Sequence, residues 1–391
     1  MKRFTLILTV LAALLNCASA QEQPEFKFTC EPYLQNVTDT EATIVWGTSL
    51  DAISWVEIAP HDGRSFYAEE HPQFVDSYLG KRRIGKLHKV RITGLKPGTT
   101  YDYRIFSKEI LVRSAYRNTY GRILSGDVYR QEAPSFTTNN TGQTDMHFAI
   151  FNDIHEESER YAQLYSFVSK SPLDFVVLNG DMVNFMDSRE QLFDGFLNTS
   201  SKLFAKSTPF YMVRGNHETR GSASEEFTNM FHTSTGQTFY SFVKGGVFYL
   251  VLDGGEDKPD SDIEYGETAD FDNFRTQETN WIKATIATEE FKQAKARVVL
   301  MHIPPCANTW HGTLEIQEKF IPILNQANIN LMICGHTHRH SYHKPGETPC
   351  NFPILVNSNL HVLDVHTTPT EITIDVIDGD GAKFKHLDFK L

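Results

Sequence analysis

Three histidines at positions 336, 338 and 340 lie within the eight residues ICGHTHRH, directly after a short apolar run. Where a strand leads into a loop, residues two positions apart project to the same side. His336 and His338 therefore share one side of the chain, and imidazole is the commonest protein ligand for metal ions. The pair predicts part of a metal site whose other ligands come from elsewhere in the sequence.

Further polar clusters end other apolar runs of strand length. In chain order these clusters are Asp153-Ile154-His155, Gly180-Asp181, Gly215-Asn216-His217-Glu218 and the single His302. Each cluster alone is a weak signal, because such short combinations occur by chance. Since ligands of open α/β sheets bind outside the carboxyl ends of the strands, we expect the clusters to meet at that edge.

The elements that must position these clusters alternate along residues 146–391. The apolar runs are MHFAIF, LDFVVLNGD, PFYMVRGNHE, GVFYLVLDGG, ARVVLMHIPP and INLMICGHTH. Helix-length stretches lie between most of them, at 188–206, 275–295 and 314–326. Strands that are apolar on both faces and alternate with helices predict a layered α/β domain.

The first part of the chain, residues 26–138, has the pattern of short strands instead. EATIVWGTS, SWVEIAP and HKVRITGL alternate apolar and polar residues, which predicts a small antiparallel sandwich. LKPGTTYDYRI resembles the tyrosine-corner stretch of fibronectin type III and immunoglobulin-like domains. We interpret residues 107–134 as an extended hairpin or an inserted loop, and the small polar stretch 137–145 as the boundary between the domains.

The first twenty residues have the plan of a cleaved secretory signal. A basic start precedes the apolar run 4–15, and Ala18-Ser19-Ala20 provides the small residues of a cleavage site. Lipid anchoring through Cys17 is the alternative interpretation. No later segment is apolar enough to span a bilayer, so we expect an exported protein, periplasmic or secreted, without stable membrane insertion.

The formal net charge of −12 narrows the class of partner. An acidic chain without a long basic run argues against nucleic acid or an anionic membrane as the main partner. An anionic substrate would then need local positive charge, and bound metal ions could supply it.

Export would make disulfides possible for the four cysteines that follow the signal. Cys334 lies inside an apolar run and is expected to be a buried free thiol, while Cys306 and Cys350 are a possible pair that spacing alone leaves open. N-glycosylation sequons occur at Asn36, Asn139 and Asn198.

The order of the clusters, D-x-H, G-D, G-N-H-E, H and G-H-x-H, resembles the calcineurin-like metallophosphoesterase family. This resemblance covers about residues 146–378, and the upstream region is similar to the N-terminal domain of purple acid phosphatases. It implies an all-β sandwich of the immunoglobulin or fibronectin III type at 26–138. A four-layer αββα metallophosphoesterase domain would follow at 146–391.

The resemblance also implies two divalent metal ions, with Mn, Fe or Zn as the best matches to oxygen and imidazole ligands. One metal would take Asp153, His155, Asp181 and His338, and the second would take Asp181, Asn216, His302 and His336, with Asp181 as the bridge. Two such ions and two carboxylates leave about two positive charges for a phosphate ester.

The implied reaction is hydrolysis of a phosphomonoester by in-line attack of a metal-bound hydroxide. Asp181 and His217 are the expected catalytic residues, with His217 protonating the leaving oxygen or stabilising the transition state. The plainer alternative for His217 is a histidine that orients Asn216. A phosphodiesterase with the same metal site, and a catalytically silent adhesion or glycan-binding protein, are the alternative functions, and the oligomeric state stays open.

Two departures from related families narrow the kind of phosphatase that we expect. Purple acid phosphatases have a tyrosine ligand three residues after the bridging aspartate, where this chain has Asn184, and they lack a counterpart of His155. Visible colour is therefore not expected. Protein serine/threonine phosphatases have an aspartate and an arginine where this chain has Asn184 and Phe185, which puts protein phosphatase activity in doubt.

Several residues near the motifs are weaker candidates. Arg220, Arg339 and His340 could reach a substrate phosphate or could simply be solvated. Trp310 and His311 could form a pocket wall or a packed loop. We expect His343, His361 and His366 to be ordinary histidines.

Overall fold

The computed structural model describes residues 24–140 and 142–391. The predicted signal at 1–20 and the alternative anchor Cys17 lie outside those residues. In the described ranges, every helix is too short or too polar to cross a membrane.

The N-terminal strands form a sandwich around one unusually long strand. Their bounds are β1 Phe28–Gln35, β2 Glu41–Pro60, β3 Gln73–Val75, β4 Ser77–Tyr78, β5 Lys81–Arg82, β6 Gly85–Thr93, β7 Thr100–Arg113, β8 Asn118–Ser125 and β9 Ser135–Thr137. The two strands predicted from EATIVWGTS and SWVEIAP are one continuous strand, β2. Its first half pairs with β1 and most of β6, and its second half with β3 and β7. A register shift between Gly47 and Ala52 marks the corner at which β2 passes between the two layers.

The core of the sandwich follows from the alternation of β2. Ala42, Ile44 and Trp46 point into it, and the buried Trp46 indole donates to Ser107 Oγ at 2.9 Å. The Tyr101 hydroxyl accepts the backbone N–H of Lys96, as the tyrosine-corner resemblance implies. Strands β7 and β8 pair as the extended hairpin that was one of the two interpretations of residues 107–134.

Residues 146–391 contain two six-stranded sheets. The first has the order β12-β11-β10-β19-β20-β21 and the second β13-β14-β15-β16-β18-β17. The bounds are β10 Met146–Phe151, β11 Phe175–Asn179, β12 Phe210–Val213, β13 Tyr240–Lys244, β14 Val247–Leu252, β15 Ala296–Met301, β16 Leu331–Cys334, β17 Ser341–His343, β18 Ile354–Val356, β19 Val362–Thr367, β20 Glu371–Ile377 and β21 Lys383–Lys390. All six predicted apolar runs contain one of these strands.

Helices cover the outer faces of both sheets. They are α1 Ser158–Val168, α2 Arg189–Leu192, α3 Asn198–Ser200, α4 Phe227–Met230, α5 Phe271–Ile286, α6 Glu289–Gln293, α7 His311–Lys319 and α8 Ile321–Leu324. Short π-helical segments, Phe193–Leu197 and Ser201–Ala205, continue α2 and α3, and 3₁₀ turns occupy His217–Thr219, Ser224–Glu226 and Ile263–Tyr265. The helix-length stretches predicted from the sequence are therefore helical, although each is broken into shorter pieces.

The layers are held together by three apolar cores. One core, which includes Phe148, Val177 and Val298, lies between the two sheets, and the others lie under the helices on each outer face. This arrangement is the four-layer αββα architecture that the resemblance implied. Residues on both faces of the central strands are buried, as their continuous apolar sequence predicts.

The sandwich packs on the helical layer of the first sheet. Tyr33 on β1 is fully buried there, and its hydroxyl donates to the carbonyl oxygen of Met230 at 2.9 Å. The Tyr103 hydroxyl donates to the carbonyl oxygen of Lys206 at the same distance. The Asn198 side chain bonds the backbone of β1, so this predicted sequon is engaged in the interface. In the described ranges, no hydrogen bond runs from the sandwich to a predicted metal ligand.

All four cysteines in the described residues are free thiols. Cys334 is buried, as its apolar run predicts, and it shares a core with Cys306 and Cys350. Burial raises the pKa of the Cys350 thiol to about 12, which makes it a poor nucleophile. The pair that the sequence left open is not bonded in this structure.

We expect Tyr33→Ala to destabilise the whole chain, because the change empties a buried site shared by both domains. Truncation of a large buried aromatic costs about 3–5 kcal/mol in free energy of unfolding. Urea denaturation followed by tryptophan fluorescence measures the loss.

Tyr78→Ala is the matched control, because Tyr78 is 60% exposed on the same domain. This control should change the free energy of unfolding by less than about 0.5 kcal/mol. Equal losses in the two variants would show that the contact at Tyr33 does not join the domains.

Candidate metal centre

The two sheets bring their polar strand ends to one edge of the domain. Asp153 follows β10, Asp181 follows β11, and Asn216 follows β12, while His302 and His336 follow β15 and β16 of the second sheet. The contacts given below connect all the predicted ligands and His217 into one cluster. The expectation that the motifs meet at the carboxyl ends of the strands is confirmed.

The backbone at these strand ends turns sharply. Ten non-glycine residues in the described ranges have positive φ, and five of them are predicted ligands, with φ between 50° and 70°. These five are Asp153, His155, Asp181, His336 and His338. The left-handed region costs such residues roughly 1–3 kcal/mol each, so the surrounding sheets must hold them there.

Two motif glycines make room for neighbouring ligands. Gly180 has φ 85°, and a Cβ atom at this position would lie 2.5 Å from Nδ1 of His302. A Cβ atom on Gly215 would lie 2.2 Å from Oδ1 of Asp181. Close approach of the chain to ligand side chains therefore explains why glycine precedes Asp181 and Asn216.

One side of the centre is built around Asp153. Its Oδ1 atom lies 3.2 Å from Nε2 of His338, and that nitrogen lies 3.1 Å from Nε2 of His155. The three ligand atoms lie within 4.8 Å of one another. The hydrogen bond to Asp153 raises the pKa of His338, whereas burial lowers the pKa of His155.

The other side is built around Asp181 and His302. The Oδ2 atom of Asp181 lies 2.9 Å from Nε2 of His302, whose Nδ1 donates to the carbonyl oxygen of Asn179 at 2.7 Å. His336 Nδ1 lies 3.0 Å from Oδ1 of Asn216. Asp181 also forms a cluster of potential ligands with His155 and His217, so it lies between the two sides.

The donor set fits divalent metal ions. Asp153 Oδ1 and His302 Nε2 are buried, and neither atom makes a well-aligned hydrogen bond with its charged neighbours. The two atoms lie 3.8 Å apart, so one cation could bind both. Burial alone would lower the pKa of His302, but the carboxylates of Asp181 and Asp153 outweigh it and raise that pKa to about 10. In the metal-free protein, a proton thus takes the place of positive charge that a metal ion could provide.

Glu218 fixes the geometry of two motifs, a role that the sequence analysis did not assign. It is fully buried and accepts the backbone N–H groups of Asp181, Met182 and Gly215 at 2.7–2.9 Å. Burial, with the nearby Asp181 charge, raises its pKa to about 7. The signal was present in the motif G-N-H-E, but its meaning depends on a tertiary contact.

Asp257 is a second residue that the sequence analysis missed. Its Oδ2 atom lies 3.1 Å from Nε2 of His336 and accepts from the Asn308 amide at 2.9 Å. Burial opposes its charge, but the hydrogen bonds from His336 and other neighbours outweigh burial and lower its pKa. Asp257 therefore orients His336 or offers a further oxygen to a metal ion.

His217 is oriented by the backbone of the G-D motif loop. Its Nδ1 donates to the carbonyl oxygen of Asn184 at 2.8 Å, and its own N–H donates to Oδ1 of Asp181 at 2.9 Å. The hydrogen-bond partner of His217 is thus the main chain of Asn184 and not its side chain. Nε2 of His217 is left facing the centre, 3.8 Å from Oδ2 of Asp181.

Of the weaker candidates, Arg220 lies at the centre. Its Nη1 atom is 3.4 Å from Nε2 of His217, and Glu256 holds the guanidinium through a 2.9 Å ion pair. Arg339 is exposed, and His340 packs against Phe384. Trp310 is half exposed, and His311 pairs with Asp272.

Comparison with known families agrees with both domains. Residues 146–340 match the family described as calcineurin-like phosphoesterase, and residues 31–120 match the purple acid phosphatase N-terminal domain. The first of these families consists of metallophosphoesterases, and its class of reaction fits the ligand types of the candidate centre.

Curated relatives include Purple acid phosphatase 22 of Arabidopsis thaliana, which is 26% identical over 282 aligned residues. The alignment covers 67% of this chain and 55% of the Arabidopsis protein. Serine/threonine-protein phosphatase CPPED1 of Mus musculus is 27% identical over 195 residues, 47% of this chain and 58% of that protein. The chain thus spans little more than half the length of these relatives. Among solved structures, purple acid phosphatase PPD1 from yellow lupin (Lupinus luteus) superimposes with a TM-score of 0.62 at 12% sequence identity. The match covers 91% of this chain and 73% of the lupin chain, and it shows that the two proteins share a fold.

We expect Glu218→Gln to loosen the centre, because the amide would direct an N–H group at backbone N–H donors. An unsatisfied buried donor costs about 1–3 kcal/mol. The expected result is a lower free energy of unfolding in urea, by about that amount, with weaker metal retention on dialysis.

Glu225→Gln is the control, because Glu225 is an exposed glutamate in the neighbouring 3₁₀ turn. It should unfold at the same urea concentration as the unaltered protein. If Glu218→Gln unfolded at the same urea concentration as this control, the three hydrogen bonds from backbone N–H groups to Glu218 would not stabilise the centre.

Proposed function

The chain belongs to the calcineurin-like phosphoesterase family, and from this premise we propose that it is an exported phosphatase with a binuclear metal centre. Its substrates would be phosphomonoesters. The observation that carries the proposal is the meeting of two ligand clusters that share Asp181 at one edge of the sheets. The two curated relatives named above are phosphatases by name, which supports the same class of reaction.

The proposed ligand sets are those that the sequence predicted. Asp153, His155 and His338 would hold one ion together with Asp181, and Asn216, His302 and His336 would hold the other together with the same aspartate. Two bound divalent ions would polarise the phosphoryl group and lower the pKa of an attacking water. The protein supplies a fixed array of carboxylate and imidazole ligands for them.

His217 is the proposed proton donor to the leaving oxygen. Its Nδ1–H is committed to the carbonyl oxygen of Asn184, so Nε2 is the atom that can carry a proton toward the substrate. Arg220 approaches the same nitrogen at 3.4 Å. Because Glu256 balances its charge, we assign Arg220 a role in positioning His217 and the phosphate rather than in attracting the substrate.

The local charge supports an anionic substrate on an acidic protein. The net charge of the chain is −12, yet the centre favours positive charge, since two carboxylates raise the pKa of His302. With two divalent ions bound, the positive charge would exceed the negative charge of the two carboxylates, so the occupied centre would match a phosphomonoester dianion better than a neutral ligand. Export rests on the signal pattern of residues 1–20.

We expect chelation to abolish hydrolysis of p-nitrophenyl phosphate, and Mn, Zn or Fe to restore it. Asp181→Asn should not recover, because the variant loses the carboxylate shared by both ligand sets. The loss of activity in Asp181→Asn should exceed the roughly 10- to 100-fold typical of changes in residues that only support metal ligands.

The intact mass of the exported protein should correspond to a start near Gln21.

Asp380→Asn, a change in an exposed turn, is the control and should keep full activity. Faster turnover of bis(p-nitrophenyl) phosphate than of the monoester would replace the phosphatase by a phosphodiesterase. Absence of turnover with either ester and any metal would favour the catalytically silent binding protein.

We expect His217→Gln to lower kcat by roughly 10²- to 10⁴-fold, the usual contribution of general acid catalysis. Asn184→Ala should change kcat only a few-fold, because the bond to His217 comes from the backbone oxygen. Steady-state kinetics with p-nitrophenyl phosphate, at equal metal content, compares the two. Equal damage in both variants would contradict the backbone role of Asn184.

A further inference from the structure

A second cluster of potential metal ligands lies on the outer face of the first sheet. It consists of His147 on β10 and of Asp364 and His366 on β19, and we name it the β10–β19 cluster. We propose that this cluster binds one divalent transition-metal ion such as Zn²⁺. The site would be separate from the binuclear centre and would staple the two antiparallel strands.

The geometry of the cluster suits one ion. His147 pairs directly with His366 across the strands. Their rings stack in parallel at 4.1 Å, so the exposed His366 ring would turn to direct its Nε2 lone pair at the same ion as His147. Nε2 of His147 lies 2.7 Å from Oδ1 of Asp364, and Nε2 of His366 lies 3.9 Å from the same oxygen. These distances bracket the roughly 3.3 Å that separates two ligands held about 2.05 Å from a tetrahedral zinc ion.

The hydrogen bonding of His147 leaves the correct nitrogen for a metal. Its Nδ1 lies 2.9 Å from the carbonyl oxygen of Pro172 and must donate to it. A neutral His147 then presents the lone pair of Nε2 to the Asp364 carboxylate, so a cation has to lie between the two acceptors. Metal-binding histidines commonly donate their other ring N–H to a backbone carbonyl in this way.

A proton is the competitor for this position. The hydrogen bond to Asp364 raises the pKa of His147, which favours the protonated form in the metal-free protein. Burial and the neighbouring His147 lower the pKa of His366.

The charges around the cluster also favour a cation. In the described ranges, the ion-pair partners of Asp364 are the two histidines alone. Asp375 lies opposite Asp364 on β20, and the charge of Asp375 is balanced by Lys383 and His386. On the other side, the carboxylate of Asp174 accepts the backbone N–H of His147. His366 is 51% exposed, which leaves an approach for the ion and a position for water.

The cluster is remote from the binuclear centre. His147 lies six positions before Asp153 on the same extended segment, which separates them by about 20 Å. The sequence analysis expects no special role for His366. It becomes a candidate ligand because β10 and β19 are neighbours in the fold. Binding here does not depend on the proposed function.

The test is equilibrium dialysis of the full protein against micromolar free Zn²⁺ at pH 7.5, followed by metal analysis. The unaltered protein should bind one equivalent more than His366→Gln or Asp364→Asn. His386→Gln is the matched control, an exposed histidine on the same sheet face, and should bind as the unaltered protein does. Hydrolysis of p-nitrophenyl phosphate should be equal in all four proteins.

Two further outcomes separate this proposal from the proposed function. Asp181→Asn should keep the additional zinc equivalent even though its binuclear centre is impaired. Zinc should also raise the melting temperature of the unaltered protein by several degrees more than that of His366→Gln. Equal zinc content in the unaltered protein and in both ligand variants would overturn the proposal.

Discussion

The placement of two buried carboxylates side by side is the constraint on which the rest of the site depends. Asp153 and Asp181 are almost completely buried, and His302 lies within 3.8 Å of an oxygen of each. Two buried like charges are unfavourable unless positive charge lies between or beside them. The His302 imidazolium provides it in the metal-free protein, because the two carboxylates raise the pKa of His302, and bound metal ions would provide it more effectively.

The fold holds this unfavourable arrangement by rigidity elsewhere. Strands β10, β11 and β15 are apolar on both faces, so their ends are fixed by cores on either side. That support allows the residues that follow them to adopt left-handed backbone conformations. Glu218 then ties the loops after β11 and β12 together through backbone N–H groups, so that Asp181 and Asn216 hold their relative positions.

The sequence predicted the parts of this arrangement that depend on local pattern. Apolar runs located the central strands, and the polar residues at their ends located the predicted ligands. Asp257 and the contact of Glu218 were missed, because each becomes meaningful only when distant loops meet. The continuous strand β2 was read as two strands, since the polar residues at its bend resemble a turn in sequence but form the corner of a sandwich.

The loop after β14 links the two sides of the site more directly than the sandwich does. Asp257 contacts His336, its neighbour Glu256 holds Arg220, and Tyr265 donates to Glu256. A shift of this loop would therefore move a predicted metal ligand and the arginine beside His217 together. The sandwich makes its hydrogen bonds farther from the predicted ligands, to the helical layer and to strands β12 and β13, so the loop after β14 contacts the site more directly than the N-terminal domain does.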